Sequence, residues 1–78
     1  MAKQSVKKRY SKRLKEFGAN LRRIRRAKDI TQESLADTSR ISINSIVTIE
    51  KGNLNPTFAT ILALADGLGI PAKELFDF

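Results

Sequence analysis

Seventy-eight residues make one domain, with a core large enough to fold but with little margin. The chain has no Cys and no His, which removes disulfides, thiol chemistry, the commonest metal ligands and the usual general base together. Net charge is +7 and unevenly held: residues 1–28 carry twelve Lys/Arg against Glu16, a balance of +11, while residues 29–78 carry Arg40, Lys51 and Lys73 against seven acids, a balance of −4.

A basic half of this kind attracts a polyanion, either nucleic acid or an anionic membrane face; the plain alternative is a solvated helix face. The longest apolar run, around "ILALA", is far short of the roughly 20 residues a membrane span needs. No apolar stretch follows the first basic residues, so no signal peptide is expected, and a cytoplasmic, membrane-free location suits the chain. No metal cluster or phosphate loop is present, and the acids after residue 28 are scattered. The expectation is a non-enzyme without a cofactor.

In chain order, "MAKQSVKKR" lacks apolar periodicity and is dense in Lys, and residues 1–9 are expected to form a flexible basic arm, ahead of a single domain over 10–78. Leu14, Phe17, Leu21 and Ile24 then fall at 3,4,3 spacing, one stripe of a helix over about 10–28 whose opposite face is Arg and Lys. Thr31 stands where an N-cap belongs, opening a two-turn helix over about 32–38 with Leu35 and Ala36 inward. After the turn "SRI", Ser42 caps a third helix over about 43–51, with Ile46 and Ile49 inside and Gly52 as its terminator. Phe58, Ile61, Leu62, Ala65 and Leu68 are expected to make the inner stripe of a fourth helix, stopped by Gly67 and Gly69. Pro71 opens a last helical turn from which Leu75 and Phe76 are expected to pack on the core. No segment reads as a strand. The fold class is all-α, with about five short helices.

Two eight-residue helices are each marginal in water, because helix nucleation is costly. Joined by three or four residues they must brace one another, which is the helix-turn-helix arrangement with its second helix presented outward. That outward face would carry Ile43, Asn44, Val47, Thr48 and Lys51: mostly small, neutral, and suited to base edges or a thymine methyl.

At this point "LRRIRRAKDITQESLA", the "IS…I…IEKGNLNPT" that follows and "LALADGLGIPAKELF" resemble the phage Cro/repressor-type helix-turn-helix proteins of the XRE family, over about residues 17–76. The resemblance implies a compact five-helix, lambda-repressor-like domain that binds double-stranded DNA, usually as a homodimer on a near-palindromic operator, to repress or activate transcription. It implies phosphate contacts from Thr31 and Gln32, base-edge contacts from Ser42, Ile43, Asn44 and Thr48, and a phosphate clasp from Lys51, Asn53 and Asn55. It also implies a structural ion pair between Arg25 and Glu50. Thr31 and Ser42 are caps as well, and Ile43 is as consistent with partial burial as with contact to a methyl group.

The sequence departs from the family at Arg40 and Asp29, where glycine is frequent. Either these residues take a left-handed conformation at a cost, or the turns differ. With no sensor or oligomerisation domain expected after Phe78, the chain is similar to small stand-alone members such as restriction–modification controller proteins. The alternative is an antitoxin or adaptor whose main partner is a protein, a toxin or the transcription machinery. A homodimer is expected to form through the C-terminal region, around Phe76 and Phe78.

Overall fold

The computed structural model describes residues 5–78. It contains five α-helices, α1 (Val6–Arg9), α2 (Ser11–Ala27), α3 (Gln32–Ser39), α4 (Ile43–Glu50) and α5 (Phe58–Leu68), and a 3-10 helix at Ala72–Phe76. Among the described residues there is no strand, and no helix is long and apolar enough to cross a membrane. Met1–Gln4 of the expected arm lie outside the described residues. Its remainder is one exposed helical turn, with the Ser5 hydroxyl accepting from the Lys8 N–H at 3.1 Å.

The helices begin and end by repeated chemistry. Thr31, Ser42 and Thr57 each hold extended backbone angles and accept a hydrogen bond from the N–H three residues on, at Ser34, Ser45 and Thr60. At the other ends, the N–H groups of Ile30, Ile41, Asn53 and Ile70 reach back five residues to the carbonyls of Arg25, Ala36, Thr48 and Ala65, at 3.0–3.1 Å. This is the Schellman closure. It needs a left-handed residue just before each donor, and Asp29 (φ 56°), Arg40 (φ 58°), Gly52 (φ 78°) and Gly69 (φ 68°) supply it. Asp29 and Arg40 therefore adopt the left-handed conformation, each at about 1–2 kcal/mol relative to glycine. Ile30, Ile41 and Ile70, the donors at three of the four ends, also pack against the core, which offsets part of that cost.

Phe17, Leu21, Ile24, Leu35, Ile46, Ile49, Leu64, Ala65, Leu68 and Leu75 form one buried cluster, with α2 against α4, α3 against both α4 and α5, and the 3-10 helix against α2 and α5. Three expectations need correction. Phe58 and Leu62 are 70% and 41% exposed, and the inner face of α5 is Ile61, Leu64, Ala65 and Leu68. Helix α5 is apolar nearly all round, so periodicity alone did not select its buried side. Phe76 remains 49% exposed, its ring 5.4 Å from that of Phe17, while Leu75 takes the core position. Gly67 lies inside α5 and Gly69 alone ends it; at Gly67 a Cβ would come within 3.1 Å of Leu35, Thr38 and Ser39, so its role is close packing of α5 on α3.

The closest crossing is at Gly18 of α2. A Cβ there would lie 2.2 Å from the Ile49 carbonyl oxygen and 2.7 Å from that of Glu50, so only hydrogen lets α2 meet the end of α4. Gly18→Ala gains about 1 kcal/mol of helix propensity but forces backbone apart. The net expectation is a loss of about 2 kcal/mol or more in urea unfolding, near the upper end of overpacking costs; a stabilised variant would contradict this crossing. Arg40→Gly should instead gain about 1 kcal/mol by relieving the left-handed residue, seen as a higher melting temperature.

Candidate nucleic-acid interface

The outer surface of the α3–α4 pair is set by a buried polar junction. Arg25 Nε donates to Glu50 Oε2 at 2.7 Å and Arg25 Nη2 to Glu50 Oε1 at 3.1 Å, with side chains only 10% and 4% exposed. Arg25 Nη1 also donates to the Ile30 carbonyl at 2.8 Å, and Gln32 Nε2 to Glu50 Oε1 at 3.1 Å. The hydrogen bond to Glu50 raises the Arg25 pKa above its ordinary value, against the lowering effect of burial. One guanidinium and one carboxylate thus tie the end of α2, the start of α3 and the end of α4.

With α4 held this way, its first turn projects from the body. Ser42 and Asn44 are exposed, Ile43 is 42% exposed, and Val47 and Thr48 are half-buried along the same helix. The Ser42 hydroxyl accepts from the Ser45 N–H and donates to Ser45 Oγ, so its bonding is internal as it stands. Thr48 Oγ1 donates to the Asn44 carbonyl at 2.6 Å. No hydrogen bond within the protein engages the Asn44 amide among the described residues, which leaves a donor and an acceptor side by side at the helix tip.

The other expected contact residues fall in three places. Thr31, Gln32 and Lys51 line one basin with Arg22, Arg26, Glu33 and Val47, over the positive end of α3. The half-buried Gln32 amide nitrogen is committed to Glu50, and its side-chain oxygen has no hydrogen-bond partner among the described residues. Asn53 lines a second depression with Lys7, Lys8 and Lys15. Asn55 is apart from both, in an apolar groove with Tyr10, Pro56, Phe76 and Phe78, where the Arg13 guanidinium lies 4.7 Å from the centre of the Phe78 ring.

Sequence reasoning missed two groups. In the sequence Arg22 and Arg26 belong to a generic basic face, although their i,i+4 spacing places them together. Asn20, 5% exposed, donates its amide to the Glu74 and Leu75 carbonyls at 3.1 and 3.0 Å and accepts from Arg23, fastening the 3-10 helix to α2. No local signal marks it; its partners are more than fifty residues away.

Set beside known proteins, residues 16–77 match the model of the helix-turn-helix domain. The chain is 39% identical over 61 residues to an uncharacterized helix-turn-helix-type transcriptional regulator of Sinorhizobium fredii, covering 78% of this chain and 79% of that protein. Its structure superposes on the restriction-modification controller protein C.AhdI of Aeromonas hydrophila with a TM-score of 0.80 at 40% identity, over 81% of this chain and 96% of that one. A second controller protein, C.Esp1396I, gives 0.76 at 26% identity over 95% of this chain and 88% of that one.

The junction generates a stability prediction. Glu50→Ala leaves a buried guanidinium without its carboxylate and should cost about 3–5 kcal/mol, whereas replacing Arg25 and Glu50 together by Met and Leu should come close to neutral. Denaturant unfolding of both variants checks this, and an equally damaged double variant would argue against the pair acting as a unit.

Proposed function

This chain belongs to the helix-turn-helix domain family, and on that premise we propose that it is a transcriptional regulator that binds double-stranded DNA sequence-specifically, as a dimer on a near-palindromic operator. The observation that carries the reading is the free tip of α4. A neutral surface of Ile43, Asn44 and Thr48 stands outward on a helix held rigidly from behind, in a protein whose charge of +7 is otherwise spread over Lys and Arg. Phosphate binding alone does not call for an amide, a hydroxyl and a methyl-bearing side chain there; reading base edges in the major groove does.

In this arrangement Asn44 pairs with an adenine through N6 and N7, Ile43 meets a thymine methyl, and Ser42 and Thr48 reach flanking edges by turning their hydroxyls from internal partners. Thr31, Gln32 and Lys51 take a phosphate of one strand at the start of α3, and Asn53 one from the other strand. The similarity to controller proteins supports a small regulator of that kind.

Dimerisation is proposed through the C-terminal region. Phe76 and Phe78 are 49% and 42% exposed and rim a groove that Ile61 of α5 also lines, and Phe58 and Leu62 of that helix add two further exposed apolar side chains. Exposed apolar surface of this extent supports a protein interface. Two recognition helices would then lie about 34 Å apart, one helical turn of DNA. Sedimentation should show self-association at micromolar concentrations, weakened by Phe78→Ala; a strict monomer would count against the dimer.

The central test is selection from a random duplex pool, followed by Asn44→Ala. The native protein should enrich half-sites one helical turn apart. The variant should lose about 1–3 kcal/mol on that duplex and relax selection at one base pair per half-site. A uniform loss on all sequences would remove Asn44 from base reading, and an unenriched pool would remove the reading as a whole.

A further inference from the structure

The basic edge of α2 is left over by a reading centred on α4. On α2, Lys15 and Arg22 stand seven residues apart with Arg26 one turn further on; with Lys8 of the preceding α1, all four are exposed. Among the described residues the ion pairs are Arg13–Glu16 and Arg25–Glu50, so none of these four is neutralised by a carboxylate. Arg22 and Arg26 sit one turn apart, an arrangement of like charges that weakens an isolated helix. An anionic partner relieves that repulsion.

The edge is not uniformly charged. Its middle is Gly18 and Ala19, where α2 rides directly over the Ile49 and Glu50 carbonyls at the end of α4. On one side of this bare centre, Arg22 and Arg26 open onto the basin of Thr31, Gln32 and Lys51; besides the paired Arg25 and Glu50, Glu33 shares that rim and opposes them, one unpaired acid against two arginines and a lysine. On the other side Lys15 packs on Gly52, where a Cβ would lie 2.4 Å from Lys15 Cγ, and lines with Lys7 and Lys8 the depression that holds Asn53. From Lys15 to Arg26 the helix rises about 16 Å, enough to overspan a major groove about 12 Å wide.

The geometry points to α2 as a charged beam laid across the major groove, gripping the phosphates of one strand with Arg22 and Arg26 and those of the opposite strand with Lys15, joined by Lys7 and Lys8 of the preceding α1. The inference rests on the DNA-reading function of α4 and adds a division of labour to it. Each end of α2 extends a phosphate contact that the α3 start or the loop after α4 begins. The beam sets how tightly and in what tilt the reading helix is pressed into the groove, and selects no base itself.

The test uses two variants of the full chain, Arg22→Gln with Arg26→Gln, and Lys7→Gln with Lys8→Gln and Lys15→Gln, on the duplex enriched by the native protein. All five positions are exposed, and circular dichroism with thermal melting confirms that each variant folds. At about 0.9 per neutralised phosphate, the slope of log K against log[salt] should fall by about 1.8 for the arginine variant and about 2.7 for the lysine variant. The enriched motif should stay the same. Phosphate ethylation should cease to interfere on one strand for the first variant and on the opposite strand for the second. Unchanged slopes, a changed motif, or losses on one strand for both variants would each overturn the beam. A native protein that enriches no motif would instead overturn the reading of α4 beneath it.

Discussion

The fold turns on one buried contact, the guanidinium of Arg25 held in two hydrogen bonds by the carboxylate of Glu50. A buried ion pair is a poor source of net stability, because desolvation cancels most of its Coulombic gain. Its value here is geometric. Helices α3 and α4 are eight residues each, too short to hold an orientation by their own hydrogen bonds. The planar fork of Arg25 fixes the end of α4 in angle as well as distance, and its third bond, to the Ile30 carbonyl, fixes the chain that leads into α3. Gln32 closes the junction from the α3 side. Apolar packing beneath, from Leu35, Ile46 and Ile49, supplies the stabilisation that the polar contact does not.

Around that junction the helix ends solve a common problem. At the start of α3, α4 and α5 one orphaned N–H meets a hydroxyl three residues earlier, and at each of their ends one orphaned carbonyl meets a donor five residues later. These closures are local in sequence, and for that reason they were legible. Thr31, Ser42, Gly52 and Gly69 announce themselves by residue type and position, and the stripe of Phe17, Leu21 and Ile24 by spacing. Arg40 and Asp29 were legible only as a question, since an L-residue at positive φ is specified by the demand of the turn and not by its own preference.

What the sequence hid depends on which of several equivalent faces a partner covers. Helix α5 offers apolar residues on every side, so the outward turn of Phe58 and Leu62 is decided by α3 and the 3-10 helix, not by α5 itself. Leu75 and Phe76 are adjacent and both apolar, and tertiary space admits one. Gly18 and Gly67 look like ordinary helical glycines until the crossing helices are in place. At the candidate interface, the helix tip and the α3 start were legible through the family resemblance and the cap chemistry. The grouping of Arg22 and Arg26 with Lys51, and of Lys15 with Asn53, was not, because each joins segments brought together only by the fold.

One property of α4 reaches beyond the single molecule. Its cap, its terminator and its buried pair, Ile46 and Ile49, account for its place in the fold, while the side chains of Ile43 and Asn44 bond to nothing that the fold requires. Under the proposed function, Ile43 and Asn44 are then free of the fold's demands, whereas Ser42 also caps the helix and Thr48 also bonds the Asn44 carbonyl. On the proposed function, a lineage could change positions 43 and 44 by single substitutions at little cost in stability, and so drift from one target to another without passing through an unfolded ancestor.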